Sequence, residues 1–406
     1  MRTKKRNRRA ELSAFGGVLL ALFLAPSAWA VDCNSFKVWS FNIRFDNGSV
    51  FCASDCDNDW YKGELTSGRR NVAKAYLQGY DPDIFGLQEI KNSGPVPGFV
   101  VSQLQDVAGW FPGHNYYAQD RGDGEHCAIF YRSNRFDRLG AGTFWLSCTP
   151  DVQSKHPLET NNFRITSWVL LRDTYTTDEF FVFNNHWPLN STARDYAAAL
   201  IRERVHQMAG GFPAILLGDF NCDELSSPFN ILIGTNAYPG SAECTNPQPV
   251  SQQDLSLVNS YREAVPVWDG EERTYHDFSG NTFGKRIDHV LNTRDDFAAF
   301  TAAVRRDTYA GGCTNAGCYP SDHYAVEVQF HVLLQNVQVD LQQLDALCEL
   351  GTEALPFNTI AEAVNVVKSN GTITLRNTSG NAAVTINPIR GPVTITSIGG
   401  PSIVGK

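Results

Sequence analysis

Residues 36–41, 84–87, 180–183 and 214–217 are short apolar runs that read as buried strands, and each leads into an acid, an amide or an imidazole. The first closes on Asn42, the second on Gln88 and Glu89, the third on Asn185 and His186. The fourth continues as Gly218, Asp219, Phe220 and Asn221. Between them, Val72, Ala75 and Tyr76 share one face of a helix predicted over 67–78, and a second helix is predicted over 192–208. Asp81-Pro82-Asp83 marks the turn into the second strand. Short strands broken by Gly, Asp and Asn run through 116–183. In a layered α/β chain of this kind the strand ends converge, so distant polar groups can line one pocket.

The two ends of the chain read differently. Residues 2–9 are basic, 12–24 apolar, and Ala28-Trp29-Ala30 offers a small-residue cleavage site, so residues 1–30 are expected to be a signal peptide. The apolar run is too short for a stable membrane span. Every one of the 10 cysteines lies beyond that cut, which fits an oxidising compartment. Cys52/Cys56 and Cys313/Cys318 are near enough in sequence for local bridges; the other pairings stay open. Residues 332–350 read as a linker. Residues 351–406 then change to short Val/Ile/Thr strands at 371–375, 383–386 and 393–395, like the opening rungs of a parallel β-helix.

Charge narrows the function. The chain has 34 basic and 43 acidic residues; without residues 1–30, which hold six basic side chains and Glu11, 28 and 42 remain, a formal charge of −14. A broad nucleic-acid surface is normally basic, so tight non-specific DNA binding is disfavoured. An asparagine, several carboxylates and two histidines gathered at strand ends suit a divalent cation that activates phosphate chemistry.

Six segments in order carry a wider likeness: Ser40-Phe41-Asn42-Ile43-Arg44, Leu87-Gln88-Glu89, Asn185-His186, Gly218-Asp219-Phe220-Asn221, Arg286-Ile287-Asp288-His289-Val290 and Ser321-Asp322-His323. Over about residues 36–330 they resemble the endonuclease/exonuclease/phosphatase superfamily, which includes deoxyribonuclease I, exonuclease III, neutral sphingomyelinases and inositol-polyphosphate phosphatases. Asp120-Arg121-Gly122-Asp123-Gly124-Glu125, Ile129-Phe130-Tyr131-Arg132 and Arg164-Ile165-Thr166-Ser167-Trp168 are similar to one bacterial branch of it. The resemblance implies a two-sheet α/β sandwich over 31–331.

It also implies roles. Glu89 and Asn42 match the metal-binding positions, and Asp322 is expected at the metal too. Asp219 would orient or deprotonate the attacking water, with Asn221 placing the phosphate; by strand alternation the two should point the same way. His186 and His323 would meet the phosphate, and Asp288 would hold one imidazole in its tautomer. Arg44, Tyr131, Arg164 and Arg194 are candidates for substrate binding, with Asp46 and Glu125 behind them. His289 reads as structural, and Arg69 or Arg70 resembles a helix arginine of the branch. The expected cofactor is Mg²⁺, with Mn²⁺ or Ca²⁺ as alternatives.

Two departures bear on substrate choice. Trp187-Pro188-Leu189-Asn190 lacks the acid that the branch carries soon after the histidine, and residues 60–68 insert extra chain. The leading expectation is a secreted metal-dependent phosphodiesterase, with extracellular nucleic acid as one substrate. The alternative is a phosphomonoesterase or phospholipase-type hydrolase on sugar, inositol or lipid phosphates. A non-catalytic adhesion module working through its tail is the alternative of another class. Protein partners are not legible.

Overall fold

The computed structural model describes residues 31–46, 60–62, 66–67, 69–92, 101–307, 319–343, 348–376 and 391–398. The expected signal peptide, the Cys52/Cys56 and Cys313/Cys318 pairs and the expected strand at 383–386 lie outside them. The strands begin with β1 (Val31–Asp32), β2 (Ser35–Asn42), β3 (Tyr61–Lys62), β4 (Thr66–Ser67), β5 (Ile84–Lys91), β6 (His114–Tyr117) and β7 (Glu125–Arg132). They continue as β8 (Phe136–Trp145), β9 (Ile165–Asp173), β10 (Glu179–His186), β11 (Ala214–Asp219), β12 (Leu257–Asn259) and β13 (Asp288–Thr293). The remainder are β14 (Phe297–Arg305), β15 (Ala325–Val332), β16 (Leu334–Asp340), β17 (Cys348–Glu349), β18 (Val367–Arg376) and β19 (Thr394–Ile398). The helices are α1 (Arg69–Tyr80), α2 (Gln103–Trp110), α3 (Ser191–Ala209), α4 (Ser227–Ile233), α5 (Ser260–Ala264) and α6 (Ile360–Val366).

Two six-stranded mixed sheets form the body, in the orders β14-β15-β2-β5-β7-β6 and β12-β13-β11-β10-β9-β8. Their sequence logic is burial on both faces, which turns the usual alternation into continuous apolar runs. In β2, Phe36 and Val38 join Val182, Ile215 and Leu217 of the other sheet in the layer between the sheets. Trp39 and Phe41 point the other way and pack with Tyr76, Leu77, Leu104 and Val107 of α1 and α2. In the second sheet Phe181, Phe183 and Leu216 turn outward onto Tyr196, Leu200 and Ile201 of α3. The result is an α/β sandwich with helices outside both sheets.

The apolar middle layer gives way to amides toward the strand ends that carry the site. Asn184 Nδ2 donates to the carbonyls of Leu87 (3.1 Å) and Ala128 (2.8 Å), across from one sheet to the other, and its Oδ1 accepts from Gln88 Nε2 at 2.7 Å. Gly86 is required there: a Cβ would stand 2.0 Å from Leu217 Cδ1.

The stretch expected to be a linker carries structure. Strand β16 follows β15 after one residue and pairs in parallel with β18, which pairs in parallel with β19. Val337, Val339, Phe357, Ala363, Val364, Ile373 and Leu375 give this small sheet and α6 their own core. It is tied back to the body by the parallel pairing of β1 with β17, by the Cys33–Cys348 disulfide and by the Lys368–Asp296 ion pair at 3.3 Å. A second disulfide joins Cys148 to Cys244.

Candidate active site

Strand register sets most of the site. Within the second sheet His186 of β10 lies opposite Asp219 of β11, and Asp219 lies opposite Asp288 of β13, so three polar groups stand side by side. The first sheet contributes Asn42 from the end of β2 and Glu89 from β5. Glu89 sits in a β-bulge between Leu87 and Ile90 and adopts φ 63°, a left-handed conformation that side chains rarely occupy. The bulge turns the carboxylate toward Asn42 instead of continuing the ladder.

Asn42 is the meeting point. Its Nδ2 donates to Glu89 Oε1 (3.0 Å) and to Asp219 Oδ2 (3.1 Å), while its Oδ1 accepts from the Arg44 amide (3.0 Å). Asp219 Oδ2 is also 3.6 Å from His186 Nε2 and 3.9 Å from His323 Nε2. His323 Nδ1 is hydrogen-bonded to Asp288 Oδ2 at 2.8 Å, which leaves Nε2 facing Asp219. Ser321 fixes the approach of that last segment: its hydroxyl donates to the Asn42 carbonyl at 2.6 Å and accepts from the His323 amide.

Burial makes these charges work against one another. The Asp219 carboxyl is pushed up to about 7 by burial and by the neighbouring Asp288, against the pull of His323. Burial opposes the charged form of His323, but Asp288 and Asp219 outweigh it and raise the imidazole to about 10. His186 moves the other way: burial and the nearby Arg164 and Arg121 hold it well below its ordinary value, so it is neutral. For Glu89, burial pushes upward, yet the Asn42 hydrogen bond and the charges of His323 and Arg44 hold it below the usual carboxylate range. Glu125, at the edge of the cluster, is pushed up to about 7 by burial despite its pairing with Arg121.

The structure brings Asn42, Glu89, His186, Asp219, Asp288 and His323 together. Other sequence expectations are placed differently. Tyr131 is not in the cleft: it lies opposite Ile84 on β7, deep in the layer between the sheets with Phe36 and Val38, where an aromatic ring packs. Asn221 does not follow strand alternation, because β11 ends at Asp219 and Asn221 takes φ 51°. Its amide donates to the Trp187 carbonyl (3.0 Å) and its backbone N–H to Asp219 Oδ1 (2.9 Å). Asp322 shares the Arg44 guanidinium with Glu89, its Oδ2 3.6 Å from Nη1, and its Oδ1 accepts from Ser321.

Of the arginines, Arg164 is buried and donates through Nη1 to His186 Nε2. Arg44 bridges Glu89 and Asp322 at 3.8 and 3.6 Å. Arg194, on α3, donates to the Asn221 carbonyl and so braces the turn after Asp219. Arg69 is no solvated helix residue: it is buried and clasps the carbonyls of Ile43, Arg44, Phe45 and Pro320. Arg70 pairs with Asp106. Asp46 is buried, with its amide on Gln103 Oε1. His289 is structural, its Nε2 on the Cys222 carbonyl and its ring against Phe229. The sequence names Asn185 beside His186 without its role, and one support escapes it altogether. Asn185 is held by Thr166 and donates to the Leu217 carbonyl, a pairing that the tandem amides Asn184-Asn185 in an apolar run signal. The support that escapes is Glu159, which no local pattern marks.

The donor set fits a divalent metal. Glu89 and Asp219 supply hard carboxylate oxygens on either side of the Asn42 amide, whose nitrogen faces them, and Asp219, Asp288 and His323 present donor atoms within 4.8 Å of one another. A buried carboxyl crowded by a second one, as Asp219 is, gains most from an added positive charge. Because Asp288 already holds His323, the carboxylates Glu89 and Asp219 are the better-placed ligands.

Similarity to known proteins agrees with this geometry. A family profile described as "Endonuclease/Exonuclease/phosphatase family" matches residues 39–323. Among solved structures, an endonuclease/exonuclease/phosphatase family protein from Bacteroides thetaiotaomicron is 31% identical, with 74% of this chain and 98% of that chain covered and a TM-score of 0.58. A mannosyl-6-phosphatase from Bacteroides thetaiotaomicron is 30% identical, covering 73% and 99%, with a TM-score of 0.57. The curated relative "Protein angel" of Drosophila melanogaster is 25% identical over 320 residues, spanning 74% of this chain and 82% of its own length.

Proposed function

The chain belongs to the endonuclease/exonuclease/phosphatase family and is a metal-dependent phosphoric ester hydrolase; from that premise we propose that it hydrolyses phosphomonoesters of small hydroxylated molecules, sugar phosphates first among them. The observation that carries the hydrolytic reading is the convergence of Asn42, Glu89, His186, Asp219 and the Asp288–His323 pair from the ends of separate strands. The ester class rests on two further facts. The cationic side chains around the cleft are already engaged: Arg44 by Glu89 and Asp322, Arg121 by Asp123 and Glu125, Arg164 by His186, Arg194 by Asn221. Among the described residues these pairings leave little of that charge for the track a polyanion needs. The 30% identical neighbour named mannosyl-6-phosphatase supports the same class.

In this reading Glu89 and Asp219 would hold Mg²⁺, with Mn²⁺ or Ca²⁺ as alternatives, joined by Asn42 once its amide turns its oxygen inward, and the ion would supply charge neutralisation at the phosphoryl oxygens. Asp219 orients the attacking water and takes its proton. His323, cationic and fixed by Asp288, donates hydrogen bonds toward the phosphoryl oxygens, while neutral His186 and Arg164 line the other side. Asn221 and Arg194 keep the turn beside Asp219 in place. We also place the enzyme outside the cytoplasm, because the two disulfides among the described residues persist where thiols are oxidised. Among the described residues no helix is long and apolar enough to cross a membrane.

The test is turnover of mannose 6-phosphate, p-nitrophenyl phosphate, bis-p-nitrophenyl phosphate and plasmid DNA by the oxidised protein, with Mg²⁺ or with chelator. Chelator-sensitive release of inorganic phosphate from the monoesters alone is the expected result. Cleavage of the diester or of DNA at comparable rates reinstates the phosphodiesterase expectation, and turnover of none overturns hydrolysis itself.

A further inference from the structure

Glu159 is a buried carboxylate in the loop between β8 and β9 with no part in the chemistry described above. Its two oxygens face two different supports of His186. Oε2 accepts from the backbone N–H groups of Leu189 (2.9 Å) and Asn190 (3.0 Å), the turn that follows His186 and caps α3. Oε1 accepts from Asn162 Nδ2 (3.3 Å) and stands 4.0 Å from Arg164 Nη2. The other end of that guanidinium, Nη1, donates to His186 Nε2. Among the described residues Glu159 is the one carboxylate within ion-pair distance of Arg164.

This is a carboxylate–guanidinium–imidazole chain in which every member is buried. A buried guanidinium must be balanced locally or it moves toward other charge. The nearest alternatives are Asp219 and Glu89, both of which already act on Arg164 through space. Without Glu159 the guanidinium would be drawn off His186 and into the space between those carboxylates. We propose that Glu159 is a positioning residue: it anchors Arg164 on His186 and pins the 187–190 turn, so that the phosphoryl group meets a guanidinium and an imidazole already in place. The inference rests on the hydrolytic reading above.

Glu159→Gln separates charge from shape, since the amide oxygen can still accept from Leu189 and Asn190. Alone and combined with Arg164→Met, it gives a double-mutant cycle. Two readouts serve it: kcat and KM on p-nitrophenyl phosphate, and the thermal shift produced by inorganic phosphate. The expected result is a tenfold or greater fall in kcat for Glu159→Gln, a weaker phosphate-induced shift, and no further loss when Arg164→Met is added. If Glu159→Gln fails to fold, the double variant, which removes the unbalanced charge, should fold again. A Glu159→Gln variant with parental kcat and phosphate shift overturns the proposal. So do losses that multiply independently, or a double variant that stays unfolded. A parent protein inactive on every ester would instead overturn the hydrolytic reading.

Discussion

The single hydrogen bond from His323 Nδ1 to Asp288, 2.8 Å long, decides which nitrogen of that ring looks into the cleft. Asp288→Asn should leave the ring near its place but remove the charge that keeps it cationic. Loss of an acid/base partner of this kind lowers rates by roughly 10²–10⁴-fold; we expect kcat/KM for p-nitrophenyl phosphate to fall in that range, and the thermal midpoint to fall with it because a buried ion pair loses one partner. Activity within twofold of the parent would remove the pair from the reaction. At this scale the sequence was readable wherever a polar group ends an apolar strand, as at Asn42, Glu89, His186 and Asp219. It misled where the backbone leaves the strand. Alternation gives the wrong direction for the Asn221 side chain once φ becomes positive, and the motif that names Tyr131 does not reveal that its strand position is several residues from the sheet end that carries Glu89.

Elements place these groups, and close backbone contact limits what they tolerate. At Gly218, φ is +149° and a Cβ would stand 2.1 Å from the Asn185 carbonyl, on the strand pair that aligns His186 with Asp219. Gly218→Ala should cost about 3 kcal/mol or more, from overpacking and backbone strain together, and urea unfolding would measure it; an unchanged midpoint contradicts the geometry. The fold also buries neutral histidines. Burial is the main cause that lowers His276, stacked on Tyr324, and His289, against Phe229, to about 4. Their ordinary value in the unfolded chain is about 6.5. A depressed histidine leaves the folded form binding fewer protons, so its contribution is whole above pH 6.5 and fades as pH falls toward 4. Asp219 and Glu125, raised to about 7, gain stability across the same window, so the test is a difference: the stability of the parent relative to His289→Gln should fall as pH drops from 6.5 to 4. A difference that does not change with pH would show the His289 ring to be solvated. Both long helices were legible, predicted over 67–78 and 192–208 and found as α1 and α3, because their apolar spacing is regular. Strand β16 was not, since its polar positions Gln335, Asn336 and Gln338 look like a linker until Phe357 and α6 cover Val337 and Val339 on the other face.

On the scale of the whole molecule, covalent links and the appended sheet complete the fold. The Cys148–Cys244 bond anchors the start of the loop that carries Glu159. Replacing both cysteines by serine should lower stability by about 2–4 kcal/mol, and activity should fall with it if that loop loosens; equal unfolding curves would show the bond to be dispensable. The sandwich was legible from its order of motifs, whereas the disulfide partners were not, because only the folded topology brings residues so far apart in sequence together. The Cys33–Cys348 bond is the extreme case, with a sequence separation of 315. It encloses nearly the whole catalytic body in one covalent ring. A protease that cuts any single loop inside that ring therefore opens the chain without freeing a piece. On a denaturing gel the nicked enzyme would run as one species until reductant is added, and only then as two.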